Sequence, residues 1–258
     1  MKKITFLSLL MFLMMAIPMM TSCSKDDGGG TNGKNGGGNT NPNPPVADIH
    51  VVVKDDGTTS NGSIFSAIDD KNFYVDYIKY TVEDGHLFVS GYDKDGFKGV
   101  ANIVARITYK GNTYEVLKVG HESSYYDYCG FWRCTNLTSV NIPSSVTIIG
   151  KYAFYDCSNL TSVTIGNSVT SIGYAAFSGC SCLTSLTIPS SVTIIYEDAF
   201  YGCSNLTSVV VKATTPPTLY TFRNTSLSAI YVPQESVEKY KNASRWNSYS
   251  SIIKAIEE

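Results

Sequence analysis

A 23-residue repeat runs through the second half of the sequence and constrains the fold more than any other feature. Complete units occupy residues 134–156, 157–179 and 180–202, a fourth begins at Cys203, and residues 224–233 repeat the first half of the unit once more. Two columns keep this period, one of cysteine and one of phenylalanine: Cys134, Cys157, Cys180, Cys203, Phe131, Phe154, Phe177 and Phe200. Such a repeat indicates one small structural unit stacked on copies of itself.

Each unit carries its own pattern of core residues. In the first unit, Leu137, Val140 and Ile142 follow L-x-x-V-x-I, which predicts a short strand with its alternate side chains turned inward. Pro143 ends that strand, a second extended edge follows, and Phe154 supplies a bulky plug on a tight turn or a single helical turn. Because no unit can bury this apolar set alone, we predict an α/β, β-rich solenoid in which stacked 23-residue rungs bury one continuous core.

A solenoid exposes an apolar cross-section at each end, so we expect caps on both sides of the repeats, which span residues 111–233. Residues 48–110 predict an N-terminal strand-rich cap. Runs such as residues 73–82 alternate apolar and polar side chains, and Gly-containing turns such as residues 83–85 separate them. Residues 234–258 predict a short C-terminal helical cap. Its apolar residues are Val237, Tyr240, Trp246, Ile252, Ile253 and Ile256.

The repeat resembles that of the BspA-like (Treponema-type) bacterial leucine-rich-repeat surface lipoprotein family. The family's unit reads approximately C-x-N-L-x-x-[VIL]-x-I-P-x-x-V-x-x-I-G-x-x-A-F-x-x, and the flanking residues 77–92 and 232–256 resemble its N-terminal strands and its closing segment. By this resemblance the fold is a leucine-rich-repeat solenoid. The departures from the pattern are Gly166 and Lys212 for proline, Tyr196 for glycine and Cys182 for asparagine.

The first 22 residues predict a lipoprotein signal peptide. Lys2 and Lys3 precede an apolar run over residues 4–20, which is short for a membrane span. Cys23 then resembles the lipid-modified cysteine of a lipobox, the alternative being a free cysteine behind an ordinary signal peptide. The acidic residues 26–27 resemble an export signal, or else belong to the linker.

Residues 23–47 join this signal to the folded part of the chain and consist mostly of Gly, Asn and Pro. A segment with so few apolar side chains cannot bury enough apolar surface to offset the entropy lost on ordering. We therefore predict a disordered tether that begins with the lipidated cysteine. Signal and tether together predict a protein that is lipid-anchored in the outer membrane and faces the extracellular side.

The composition leaves little raw material for catalysis. Twenty basic against 22 acidic residues give a formal net charge of −2, which makes nucleic acid an unfavourable partner. The sequence contains three histidines and no nucleophile elbow, zinc-protease or phosphate-loop motif. The only cluster with acid–base ingredients, residues 121–124, is interpreted as a surface insertion. We predict no catalytic residue, no metal and no cofactor.

Seven cysteines raise the question of disulfides. The four column cysteines lie on successive rungs at a distance that permits a disulfide. The resemblance, however, places a buried small apolar residue there, and we expect reduced core thiols. Cys129 and Cys182 cannot be paired from the sequence. A further column, expected to satisfy backbone groups between rungs, holds Asn136, Asn159 and Asn205. Cys182 in this column should leave one rung less well bonded.

The remaining candidates lie on the surface. The outward positions of the main strand ladder are Ser139, Ser162, Ser185, Thr164 and Thr187. Tyrosines outside the core columns are Tyr125, Tyr126, Tyr128, Tyr152, Tyr155, Tyr174, Tyr196 and Tyr201. Exposed aromatic rings contact proteins and stack on sugars, although the same rings also suit packing between turns.

The resemblance implies a non-enzymatic cell-surface module for adhesion, which binds a host or bacterial surface protein through its repeat face. Two alternatives stay open. The tyrosines suit a glycan-binding accessory of a surface uptake system, and the chain also fits a structural component of the envelope.

Overall fold

The computed structural model describes residues 48–120 and 130–257. The strands are β1 (His50–Val52), β2 (Phe65–Ala67), β3 (Asn72–Val75), β4 (Ile78–Glu83), β5 (His86–Tyr92), β6 (Val100–Asn102), β7 (Arg106–Tyr109), β8 (Asn112–Val119), β9 (Ser139–Asn141), β10 (Ile148–Ile149), β11 (Ser162–Thr164), β12 (Ser171–Ile172), β13 (Ser185–Ile188), β14 (Ile194–Ile195), β15 (Ser208–Val211), β16 (Thr218–Leu219), β17 (Ala229–Val232) and β18 (Ile253–Ala255). Helix α1 spans Val237–Asn242, and 3-10 turns span Gln234–Ser236 and Asn247–Ile252. The predicted β-rich solenoid is confirmed.

The N-terminal region is an antiparallel meander of β2 to β5, with β7 and β8 as a second hairpin. The single strand predicted over residues 73–82 is wrong, because Asp76 and Tyr77 adopt φ of 49° and 66° and fold it into a hairpin. The predicted turn at 83–85 is confirmed. Asp84 and Gly85 both have positive φ, as the tight turns favoured in hairpins require.

Two parallel ladders run along the repeats. The two-residue strands β10, β12, β14 and β16 pair in sequence and form the short-strand ladder. The longer strands β8 and β5 connect this ladder to the N-terminal meander, so cap and solenoid share one 11-stranded sheet. The long strands form a second ladder that begins at β6, within the residues predicted as the cap, where Ala101 pairs with Val140.

A third ladder joins the turns that carry the phenylalanines. The N–H of Phe154 donates to the Ala176 carbonyl at 2.7 Å, and the N–H of Phe177 donates to the Ala199 carbonyl at 2.8 Å. These segments are turns, not helical turns, and each contains left-handed residues such as Tyr152 (φ 56°). Backbone bonds therefore fix each rung to its neighbours on three sides.

The predicted phenylalanine column forms the centre of the core. Rings of neighbouring rungs stack at centroid distances of 5.5, 4.9 and 5.6 Å, with interplanar angles of 10° or less. All four side chains are fully buried. Phe222, which the sequence did not suggest, adds a fifth ring at 5.6 Å from Phe200. Tyr92 and Trp246 close the column at its two ends.

The four column cysteines are buried free thiols, as predicted. Three of them donate S–H hydrogen bonds to the carbonyl of the phenylalanine on the preceding rung, at 3.1–3.2 Å from Cys157, Cys180 and Cys203. Burial raises the pKa of the Cys134 thiol to about 11 and raises that of Cys157 and Cys180 further. The column is therefore inert hydrogen-bonded core.

The asparagine ladder is confirmed. The three side-chain amides donate to carbonyls of the preceding rung at 2.7–3.0 Å, as in the bond from Asn159 Nδ2 to the Thr135 carbonyl. Cys182, which is disulfide-bonded, stands in this column. The bond expected to be lost there is replaced, because the Ser158 carbonyl accepts from the Cys182 N–H and from Ser181 Oγ, both at 3.2 Å. Cys129 lies outside the described residues.

The long-strand ladder is nevertheless interrupted at this rung. Strands β6, β9 and β11 form one sheet and β13, β15, β17 and β18 another. At the junction before the interruption, between β9 and β11, the N–H of Thr161 donates to the Thr138 carbonyl at 2.9 Å. At the junction after it, between β13 and β15, the N–H of Thr207 donates to the Thr184 carbonyl at 2.9 Å. We call the junction between β11 and β13 the seam.

The predicted C-terminal cap is confirmed, with an additional strand. Tyr240 and Trp246 are buried, and their polar atoms donate to the carbonyls of Ala213 and Pro217 at 2.8 Å. Strand β18 pairs with β17 and ends the long-strand ladder. The end of the core is thus covered without leaving buried polar atoms of these two side chains unbonded.

Candidate binding face

The turns that hold the phenylalanine column also carry a cluster of aromatic side chains on their outer side. This cluster surrounds a concavity of about 410 Å³, which we call the tyrosine pocket. Its lining consists of Trp132, Arg133, Tyr152, Tyr155, Tyr174, Ala175, Ser178, Asp198 and Tyr201. Four of the tyrosines predicted as surface candidates, Tyr152, Tyr155, Tyr174 and Tyr201, therefore meet in one place.

The stacking of rungs explains why these tyrosines meet. The N–H of Tyr152 donates to the carbonyl of Tyr174 on the next turn at 3.0 Å, which brings the two side chains together. Tyr152 stands edge-to-face against Tyr174 at 5.4 Å and against Tyr155 at 5.6 Å. These three rings are half-buried, whereas Tyr201 is 40% exposed. Part of the cluster is thus packing between turns, and part is open surface.

Charged groups frame the tyrosine pocket. Arg133 lies over the Trp132 ring at 4.7 Å and contacts Asp156, with 3.5 Å between Nε and Oδ2. Further along, Arg223 binds Asp198 through two hydrogen bonds of 2.9 and 3.0 Å. Arg223 also covers the Tyr201 ring at 5.3 Å. The pocket therefore combines aromatic walls with the guanidinium of Arg133, and Arg223 lies just beyond it, bound to two residues of its lining, Asp198 and Tyr201.

A second concavity, of about 450 Å³, adjoins the first over the short-strand ladder, and Tyr174 lines both. Gly150 and Gly173 form its floor, and rung packing enforces them, since a Cβ at Gly173 would lie 2.7 Å from the carbonyl carbon of Gly150. On the next rung Tyr196 replaces the glycine and is 41% exposed. We call this concavity the glycine trough, and the pocket and trough together the tyrosine face.

The serine and threonine positions of the sequence prediction lie elsewhere. Ser139 pairs with Ser162, Thr164 with Asn141 and Ser185 with Ser208 along the long-strand ladder, where Thr187 pairs with Val210. Both concavities are lined by turn and short-strand residues instead. The two groups of surface candidates therefore lie on different faces of the rungs.

Several residues of the tyrosine face were missed by the sequence analysis. Trp132 lies in the same repeat column as Tyr155 and Tyr201, directly after each phenylalanine, so the aligned repeats did carry a signal for it. Arg133 and Asp198 had no such signal, because their partners depend on which turns stack. Residues 121–124 and three tyrosines, Tyr125, Tyr126 and Tyr128, lie outside the described residues.

Across residues 48–120 and 130–257, no group of three or more His, Cys, Asp or Glu side chains is placed to hold a metal ion. Over the same residues, no helix has the length and apolar character needed to cross a membrane.

Comparisons with known proteins agree with this architecture. The Treponema pallidum leucine-rich repeat protein has the same fold, at 22% identity over 60% of this chain and 68% of its own, with a TM-score of 0.51. Leucine-rich repeat proteins from Bacteroides capillosus (25% identity, 63% of this chain and 99% of that one, TM-score 0.48) and Faecalibacterium prausnitzii (25%, 67% and 51%, TM-score 0.43, a cell surface protein) are also similar. No curated protein matches significantly. Residues 125–250 match the BspA type leucine-rich repeat region in six copies, and the repeats of this chain belong to that family.

Proposed function

We propose that this chain is a non-catalytic binding module that docks a protein partner through the tyrosine face. The observation that carries the proposal is the residue set around the tyrosine pocket. Tyr, Trp and Arg are the residue types in which binding energy concentrates at protein interfaces, and all three line one concavity of about 410 Å³.

The rigidity of the face supports the same proposal. The backbones of successive turns are joined by bonds such as that from the Asp156 N–H to the Ser178 carbonyl at 2.8 Å. Tyr152 is held between two neighbouring rings, and Arg223 is fixed by its bidentate contact with Asp198. Side chains that are already ordered lose little entropy on binding, so the affinity gained per contact rises.

The arrangement of the rings favours a protein over a glycan. A sugar stacks on the open face of an aromatic ring, but the two most exposed rings of the tyrosine face, Tyr196 and Tyr201, each have one face covered by a neighbouring side chain. Arg223 lies over Tyr201, and Arg245 lies over Tyr220 at 4.3 Å. Tyr196 stacks on Tyr220 at 6.1 Å. A protein surface can bind through the exposed edges and hydroxyl groups of these rings alone, whereas stacking of a sugar requires an open ring face.

The proposal includes a location outside the cell. The signal peptide and the cysteine at position 23 support export and lipid anchoring in the outer membrane, and the tether of residues 24–47 would hold the solenoid away from the lipid surface. A host or bacterial surface protein would then be within reach of the tyrosine face.

Binding arrays test the proposal. The purified chain is applied to extracellular-matrix and bacterial surface proteins and, in parallel, to a glycan array. We expect saturable binding to a protein and none to glycans. Binding to glycans alone would favour a glycan-binding accessory of an uptake system. Binding to neither, in an assay in which a known adhesin does bind, would favour a structural component of the envelope.

Protease shaving of intact cells tests the location separately. A tagged chain should lose its intact form under conditions that leave a periplasmic lipoprotein untouched. Full protection would contradict the extracellular placement without bearing on whether the purified chain binds.

A further inference from the structure

The glycine trough has the chemistry of a groove for an extended proline-rich segment. Its floor is bare backbone at Gly150 and Gly173, and its walls are Ile148, Tyr174 and Tyr196, all of them uncharged. Proline-rich segments in the polyproline II conformation dock into aromatic-lined grooves, because the helix is preformed and its carbonyl groups remain free for donors such as tyrosine hydroxyls.

The chain itself contains such a segment. Pro42, Asn43, Pro44 and Pro45 stand shortly before the first described residue, Asp48. We propose that this proline segment, residues 42–45, occupies the glycine trough of its own solenoid and must leave before a partner docks there. The competition with a partner rests on the function proposed above, whereas occupancy by the segment does not.

The reach of the chain permits this occupancy. The Ser144 N–H donates to Asp48 Oδ1 at 3.1 Å, so the chain enters the fold at the first rung. Ser144 precedes Ile148 in the trough wall by four residues, which span at most about 14 Å. The proline segment lies three to six residues before Asp48 and therefore reaches about 10–20 Å from it.

The short connection also makes weak binding sufficient. A short flexible linker gives an effective concentration on the order of 1 mM, so even a groove with a Kd of about 1 mM would be occupied about half of the time. Residues 35–47 carry no charge, which suits the apolar and aromatic walls of the trough and causes no repulsion from Lys151, the cation in its lining.

Site-specific photo-crosslinking tests the proposal in the full chain. A benzophenone amino acid replaces Tyr196, which is 41% exposed and therefore tolerates the change, and in a second variant it replaces the exposed Lys151. The matched control carries the same group at Tyr231, which pairs with Val210 on the long-strand ladder. Circular dichroism confirms folding, and mass spectrometry maps the cross-links within the monomer.

We expect cross-links from positions 196 and 151 to residues 42–47, at least about fivefold more abundant than from position 231. Replacing Pro42, Pro44 and Pro45 by serine should reduce them to the level of the control. Equal yields at the trough and control positions, cross-links only between two copies, or yields unchanged by the serine substitutions would each overturn the proposal. None of these results depends on an external partner, so the function proposed above would stand or fall separately.

Discussion

Replacing Phe177 by alanine tests the placement of the core. The side chain is fully buried and stacks between Phe154 at 4.9 Å and Phe200 at 5.6 Å. Truncating a buried phenylalanine costs about 3–5 kcal/mol. The loss of two stacked pairs, each worth about 0.5–1.5 kcal/mol beyond burial, places the expected cost at about 4–5 kcal/mol. The central rung also joins both halves of the solenoid, so the damage should spread.

Urea unfolding followed by circular dichroism measures this cost as the change in the free energy of unfolding, provided that the slope against urea is unchanged. The matched control is Tyr174→Ala. Tyr174 is half-buried and its ring stands edge-to-face against Tyr152, so its loss should cost about 1 kcal/mol or less. A cost below about 1 kcal/mol for Phe177→Ala would refute the assignment of the inside of the rungs.

Three further predictions concern the thiols, the seam and the charged pair. Burial raises the pKa of Cys180, so the folded chain keeps a proton that the unfolded thiol loses above about pH 8.5. The Tm should therefore fall between about pH 8 and pH 11, and it should fall by less in Cys180→Ala; an equal fall in both proteins would contradict this. Hydrogen exchange should be about tenfold faster for amides 184–186 at the seam than for amides 207–209 one rung later, because β13 is the edge strand of its sheet and is paired on one side only, whereas β15 is paired on both sides; equal rates would contradict this. Arg223→Gln should shift the midpoint of urea unfolding only slightly, since the guanidinium is exposed and its partner Asp198 is only partly buried, and a shift as large as that of Phe177→Ala would show a larger role.

The repeat predicts most of the solenoid because each rung must bury side chains at the same positions as its neighbours. Columns such as the cysteines and phenylalanines occupy one environment on every rung, so spacing alone identifies the core. The hairpin at Asp76 and Tyr77 escaped prediction because two non-glycine residues in the left-handed region leave no pattern in an alternating sequence. Phe222 escaped because its rung is one residue shorter than the period.

The candidate site was predictable only in part. The tyrosines could be identified as surface candidates because they fall outside the core columns. Their assembly into one pocket depends on three-dimensional stacking, which also brings Arg223 to Asp198, 25 residues apart, through a side-chain contact that no spacing indicates. Sequence likewise cannot separate the two faces, because the serine ladder and the tyrosines alternate along every rung.

The central claim, that binding takes place on the tyrosine face, is tested most directly by comparing two double variants against the partner identified by the arrays. Tyr196 and Tyr201 are replaced by alanine in one variant, and the exposed Ser162 and Ser185 of the long-strand ladder are replaced by alanine in the other. Surface plasmon resonance on the folded variants should give a Kd at least about 30-fold weaker for the tyrosine variant, as expected for hot-spot residues, and within about twofold of the parent for the serine variant. Loss of binding in the serine variant with full binding in the tyrosine variant would move the site to the long-strand ladder and contradict the account.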